Sequence, residues 1–326
     1  LAKSVPFVDR EKELRVLEDL ALRGSETVLY IYGPEGCGKT RLLREFARRF
    51  NGVAIYIDAL SYDPAKAIEV SPVVRGVAEA VAGVLSGYSG PAGAYLATRI
   101  GSLVEKLLTR LRLSGEHVVI AVDDVAQVIG PSRVEWYVKW LYELSHRLLE
   151  DYGAESVLAV ATTSEGVSRR LVLRHRHGTV RLLWSLPRSG FEEMLRILGR
   201  VDIAEELWGL IGGNPGRLLE IATTHRWNTE EWLEELEERL VEPVSRARRE
   251  GLVDQLIEAI NDPDYLLEAD NKLLGLLEEN NLVAYTGHSL LTGERLEPDP
   301  GLGVGRYYAW QLPAYRKALL RLLERA

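Results

Sequence analysis

One eight-residue stretch, Gly33-Pro34-Glu35-Gly36-Cys37-Gly38-Lys39-Thr40, constrains this chain more than any other feature. An apolar run, residues 27–32, leads into it. A helical pattern over 39–50 follows, with Leu42, Leu43, Phe46, Ala47 and Phe50 on one face. A strand, a glycine-rich turn and a helix in that order build an anion cradle. Glycines without a Cβ let backbone N–H groups turn inward, and the helix N-terminus adds roughly half a positive charge at the same point. The spacing G-x-x-x-x-G-K-[ST] is that of a phosphate-binding P-loop. It places Lys39 to reach β- and γ-phosphates and Thr40 to offer a hydroxyl to Mg²⁺. The candidate phosphate-binding set is Gly33, Pro34, Glu35, Gly36, Cys37, Gly38, Lys39 and Thr40, with Arg41 continuing the helix. Cys37 reads as the filler of a loop position.

A P-loop needs a second metal contact at the end of a neighbouring buried strand. The apolar run 117–122 ends in Asp123-Asp124. Asp123 is the expected Mg²⁺ contact, through water, and Asp124 the group that orients or deprotonates an attacking water. An aspartate there is one methylene shorter than a glutamate, which predicts slow hydrolysis.

Further apolar runs at 53–59, 156–161 and 179–186 are nearly continuous rather than alternating, the pattern of strands buried on both faces of a parallel sheet. Helical patterns separate them, as in 132–151, where Ser132 and Glu135 read as a capping box. This is the α/β signature. Beyond Leu186 the pattern turns helical. Ser189 with Glu192 and Asn228 with Glu231 read as helix starts, and helices are expected at 203–211, 217–225 and 228–249. The remainder predicts helices at 252–260 and Asn271–Glu279, short strands at 282–285 and 307–312, and a last helix opened by Pro313. The expected organisation is an α/β P-loop NTPase three-layer sandwich with a parallel sheet (1–188), a helical lid domain (189–250) and a winged-helix domain (251–326).

Composition excludes several classes. The 326 residues carry 40 Lys plus Arg against 48 Asp plus Glu, and 46% are hydrophobic. A net charge of -8 argues against a general polyanion binder. The single cysteine excludes an intrachain disulfide and fits a reducing, cytoplasmic setting. The longest weakly polar stretch, 77–96, contains Glu79, four glycines and a proline. It reads as two packed helices rather than a membrane span. Abundant Arg and Glu with scarce Gln, Met and Cys lean towards a heat-adapted protein.

Four features together resemble the archaeal STAND class of P-loop ATPases, relatives of the AAA+ proteins. The chain opens with Phe7-Val8-Asp9-Arg10-Glu11-Lys12-Glu13-Leu14, similar to the family's h-x-x-R-E-x-E-L helix. The P-loop and the paired aspartates follow, and Gly213-Asn214-Pro215 is similar to the family's G-x-P motif. The resemblance implies that Phe7, Val8 and Arg10 line the adenine side of the pocket and that Pro215 reaches the nucleotide from the lid. It also implies that Arg217 acts as the second sensor, and that ATP and ADP favour different arrangements of the C-terminal part. ATP rather than GTP rests on this resemblance. The strand end Thr162-Thr163-Ser164 is where a polar first sensor would sit, and Thr163 is the residue expected there. The family's nearby arginine has only Arg169 and Arg170 as counterparts, later in the chain than the pattern predicts.

Arg169, Arg170, Arg174, His175, Arg176 and His177 form a basic run. It reads as a solvated loop, an inter-subunit arginine finger or a phosphate patch. Origin-type DNA initiators share the AAA+ and winged-helix plan. Yet residues 251–300 hold two basic residues against eleven acidic ones, and Asn271–Glu279 ends in Glu278-Glu279, a surface that repels a duplex. Arg316, Lys317, Arg321 and Arg325 mark the charged face of the last helix, or a phosphate contact. The expected function is a slow, Mg²⁺-dependent ATPase switch cycling between ATP and ADP. It regulates a protein partner through the acidic winged-helix domain, with a DNA-binding initiator as the alternative.

Overall fold

Runs of apolar residues too uniform to alternate become strands with both faces covered. In the computed structural model, which describes residues 5–63, 67–74, 115–163, 166–174 and 176–325, four such runs form β1 (Val28–Tyr32), β2 (Val53–Asp58), β4 (His117–Asp123) and β5 (Ser156–Thr163), while β6 (Gly178–Leu182), at the sheet edge, buries only Val180 and Leu182. A sixth strand, β3 (Ile68–Val70), pairs antiparallel with β2 at the sheet edge. The sheet order is β3-β2-β4-β5-β1-β6. The β1–β5, β2–β4 and β4–β5 pairs are parallel. The fold is thus α/β with a mostly parallel central sheet. Every residue of β1 and β5 is buried, as expected of a sheet flanked by helices.

Helices α1 (Glu11–Arg23), α2 (Lys39–Arg49), α3 (Val125–Ile129), α4 (Pro131–Glu150) and α5 (Gly166–Val172) alternate with the strands. Of these, α1 and α4 pack on β5, and α2 on β2. The expectation for 77–96 falls outside the described residues, as do Ser164 and His175.

The chain divides into two compact units, Arg10–Tyr32 with Lys39–Arg181, and Leu1–Asp9 and Gly33–Gly38 with Leu182–Ala326. The second unit holds α6 (Arg188–Leu198), α7 (Ala204–Ile211), α8 (Pro215–Thr223), α9 (Thr229–Arg249), α10 (Val253–Asn261), α11 (Asn271–Glu279), the antiparallel pair β7 (Val283–Tyr285) and β8 (Tyr308–Trp310), and α12 (Pro313–Glu324). One apolar core runs through it. Val8, Phe191, Leu207, Trp232, Leu256, Leu277, Trp310 and Leu319 belong to the same buried cluster. On α9, Leu233, Leu236, Leu240, Val244 and Ala247 recur every three or four residues, which puts them on one face.

Helix starts separate good caps from look-alikes. Asn228 caps the helix start the sequence predicts, accepting from the Glu231 N–H at 3.2 Å; its side-chain amide donates to the Glu231 carboxylate at 3.1 Å, while its backbone N–H goes to the His225 carbonyl at 2.8 Å. The other two expected caps are corrected. Pro131 opens α4 after Gly130, so Ser132 lies inside the helix. Arg188 opens α6 after Pro187, so Ser189 does too. Proline supplies a fixed φ at a helix start without side-chain capping.

Replacing Asn228 with alanine is expected to cost about 1 kcal/mol in urea unfolding, and with glycine only a few tenths. Equal stability of the alanine variant and the parent would contradict the cap.

Candidate functional site

In the first unit, Lys39 and Thr40 open α2 and the aspartate pair ends β4. Lys39 is buried, at 7% exposure, despite its charge. Strand register explains what surrounds Asp123. Asp58 lies opposite Asp123 across the parallel β2–β4 pair. Tyr56 lies two residues before Asp58, hence on the same sheet face. The Tyr56 hydroxyl donates to Asp123 Oδ2 at 2.7 Å, and the Thr162 hydroxyl donates to Asp123 Oδ1. Thr162 Oγ1 also accepts the Asp124 N–H at 3.0 Å. Asp123 is thus 1% exposed and held on both carboxylate oxygens. Asp124 is half-buried in a left-handed conformation, φ 50°. Thr163, the residue expected as sensor, is buried at the end of β5 opposite Tyr32. Its neighbour Thr162 bonds both aspartates.

Charge organises the rim of this cluster. Arg44 pairs with Asp58 at 2.8 Å and lies 5.2 Å from the Tyr56 ring centroid. Burial, and then the nearby Asp123 charge, push the Tyr56 phenol far above its usual range, so it stays a donor. Burial, and then Asp123, also raise the Asp58 carboxyl, while Arg44 opposes them. Arg10 is buried and pairs with Glu13 at 2.6 Å. Arg169 is buried, its guanidinium 5.8 Å from the ring centroid of Tyr32, the last residue of β1. Arg170, Arg174 and Arg176 are exposed.

In the second unit the glycine-rich loop meets the Gly213-Asn214-Pro215 turn. Gly36 and Gly38 have φ of 81° and 104°, values that L side chains rarely adopt. A Cβ on Gly36 would lie 2.6 Å from Asn214 Oδ1, and one on Gly216 would lie 2.8 Å from the Gly36 Cα. Glycine at both positions therefore permits the backbones to touch. Asn214, fully buried, donates to the Glu35 carbonyl at 2.8 Å and accepts the Arg217 N–H at 3.0 Å, which caps α8. Gly216 N–H donates to the Gly36 carbonyl at 3.0 Å. Pro215 is placed at first turn of α8, with its ring carbon 3.9 Å from where a Gly38 Cβ would stand.

Arg217 pairs with Glu220 at 2.6 Å and reaches Glu35 at 3.5 Å. Burial alone would lower its pKa, but Glu220, Tyr315 and Glu35 outweigh that. Its Nε is buried and has no hydrogen-bond partner among the described residues. A residue with no motif to announce it completes the ring. Gln311, just after β8, accepts the Glu35 N–H at 3.1 Å and donates to the Val283 carbonyl at 3.3 Å. Phe7 is half-buried, and Val8 lies in the apolar core of the unit. Pro34 and Cys37 are buried, with the Cys37 N–H bonded to the Pro34 carbonyl at 3.2 Å; Arg41, in the other unit, is exposed.

Residues 7–221 match the family described as an ATPase domain predominantly from Archaea. The chain belongs to that archaeal ATPase family. It is 27% identical over 261 residues to an uncharacterized ATP-binding protein of Pyrococcus abyssi, covering 71% of this chain and 76% of that one. A second such protein of Pyrococcus abyssi is 25% identical over 243 residues, covering 70% and 73%. One of Pyrococcus horikoshii is 26% identical over 262 residues, covering 70% and 78%. As a member of this family the chain carries an ATPase domain. Among the described residues no helix is long and apolar enough to cross a membrane.

The C-terminal charges correct one expectation. Glu278 is buried, not part of a repelling surface, and Glu279 pairs with Arg246 at 3.0 Å. Arg316 donates to the carbonyls of Ile260, Pro300 and Gly301. Arg321 pairs with Glu230 and Glu237, and Arg325 with Glu237. These arginines bind their own chain.

A hydrogen bond to a carboxylate contributes about 1.5–3 kcal/mol. Tyr56→Phe is expected to lower unfolding free energy by that amount, measured by denaturant titration. An unchanged midpoint would remove Tyr56 from the account of Asp123.

Proposed function

We propose that the protein binds ATP with Mg²⁺ through residues 33–40 and hydrolyses it slowly, as a STAND-type, AAA+-related switch that regulates a protein partner. The observation that carries this reading is the set of hydrogen bonds from Asn214, Gly216 and Gln311 onto the backbone of Glu35 and Gly36. They link the nucleotide loop to the helical segment and to the end of β8. A loop tied in this way transmits a change at the phosphates to the C-terminal part, which is what a switch requires.

The residue chemistry supports each role. The positive-φ glycines supply a cradle without side-chain obstruction. Thr40 and Asp123, both in the first unit, offer the hydroxyl and carboxylate that suit Mg²⁺, a hard cation. Lys39 neutralises phosphate charge, and Asp124 aligns water from one methylene further back than a glutamate would. Thr163, or Thr162 with it, serves as the polar sensor. Arg217, with an unsatisfied buried Nε, serves as the γ-phosphate sensor of the lid. On the resemblance, Phe7, Arg10 and Pro215 would serve the nucleoside, whereas Val8 is taken up by the apolar core. Residues 189–250 act as a lid, and 251–326, with the β7–β8 pair between helices, as a winged helix. The DNA-initiator alternative gains nothing, because the arginines of α12 are engaged internally. The acidic surface of that region fits a basic protein partner.

Three variants test this. Lys39→Ala is expected to weaken ATP binding roughly 10- to 100-fold in calorimetry, the worth of a charge-assisted contact, and to abolish phosphate release. Asn214→Asp keeps the α8 cap but removes the donor to the Glu35 carbonyl. Its ATP affinity is expected to change while its helical circular dichroism does not. Gln311→Ala frees the Glu35 N–H and is expected to raise the phosphate-release rate several-fold. ATP binding that survives Lys39→Ala undiminished would contradict the whole reading. An unaltered rate in Gln311→Ala would contradict the transmission step alone.

A further inference from the structure

We propose that His225, Glu231 and Glu235 form a binding site for a divalent transition-metal ion of the zinc class. It lies where the loop after α8 meets the first two turns of α9. One ligand atom from each of the three residues lies within 4.8 Å of the other two. His225 Nε2 is 3.8 Å from Glu235 Oε2.

The histidine is what sets this group apart from ordinary surface carboxylates. Its side chain is 2% exposed, and its Nε2 has no hydrogen-bond partner among the described residues. A buried polar atom left unpaired costs about 1–3 kcal/mol. This one faces a half-exposed carboxylate at a separation too long for a hydrogen bond and close to that of two ligands on one ion. In a tetrahedral site with metal–ligand bonds of about 2.0–2.2 Å, neighbouring ligand atoms stand about 3.4 Å apart. The His225–Glu235 pair is near that spacing already. Rotation of the two exposed glutamates closes the remainder.

Helix geometry supplies the second carboxylate. Glu231 and Glu235 are four residues apart on α9, so they project from the same face, and their mutual repulsion falls when a cation joins them. Asn228 donates to Glu231 Oε2 at 3.1 Å and orients the carboxylate from outside the site, as partners of metal ligands do. An imidazole nitrogen with two carboxylates suits zinc and its first-row neighbours, whereas Mg²⁺ and Ca²⁺ take oxygen ligands. Three protein ligands leave one position for water. The ion would tie the end of the α8 loop to α9, a helix whose Trp232, Leu236 and Arg239 line a cleft together with Arg217 and Glu220.

The test is calorimetric titration of the chelator-stripped full chain with Zn²⁺, without nucleotide and with excess Mg²⁺ to occupy oxygen-only sites. Co²⁺ absorption serves as a second readout. The expected result is one saturable Zn²⁺ per chain, a Zn²⁺-dependent rise in Tm, and visible Co²⁺ bands of tetrahedral intensity. Glu235→Gln, at a half-exposed residue, is expected to keep the circular dichroism of the parent. It should weaken binding by at least the roughly 10- to 100-fold that loss of an outer partner costs. His225→Gln is expected to abolish the Co²⁺ bands. No saturable Zn²⁺ binding by the parent chain would overturn the proposal, as would binding undiminished in folded Glu235→Gln.

Discussion

The second unit depends on one backbone arrangement, the glycine-rich loop lying against the Gly213-Asn214-Pro215 turn. Carbonyls of Glu35 and Gly36 accept from Asn214 and Gly216, and the Glu35 N–H is taken by Gln311. These bonds join positions 179 and 276 residues apart, so their loop-closure entropy is borne by the folding of the whole unit. They are possible only because Gly36 and Gly216 have no side chains at the point of contact. The same absence of Cβ atoms that suits a loop to phosphate suits it to close approach by another backbone. One sequence feature thus serves the protein's own packing and, in the proposed function, the ligand.

The first unit makes its own demand. Asp123 is buried at a strand end, where an uncompensated carboxylate would be costly. The sheet meets this with hydroxyls from the strands on either side, Tyr56 of β2 and Thr162 of β5. Each is delivered by parallel register rather than by a loop. Such donors hold the carboxylate in one orientation, and Arg44 and Asp58 extend the network outward. Asp123 is therefore as rigid as the sheet that carries it.

Much of this was legible in the sequence, for physical reasons that differ by element. Four sheet strands, β1, β2, β4 and β5, declared themselves because burial on both faces demands unbroken apolar runs. Ile68–Val70 did not, because an antiparallel edge strand of three residues has too little pattern to read. Asn228 announced its helix because an amide can both donate and accept there. Ser132 and Ser189 misled because a proline just upstream already fixed each start. The P-loop and the aspartate pair were readable from local spacing. Tyr56, Thr162 as the bonding threonine, Gln311 and the unpaired nitrogen of His225 were not. Their roles come from long-range register and packing, and in one dimension they look like an apolar strand residue, one of two threonines, a loop glutamine and a helix-end histidine. Glu278 reads as surface charge for the same reason and is buried.

Hydrogen–deuterium exchange with and without ATP and Mg²⁺ tests the central claim most directly, that nucleotide is held by the glycine-rich loop beneath the Asn214 turn. Peptides covering residues 33–38 and 211–217 are followed in the same sample. The account predicts slower exchange in both segments when ATP·Mg²⁺ is added. Exchange unchanged in both, at saturating nucleotide, would contradict it.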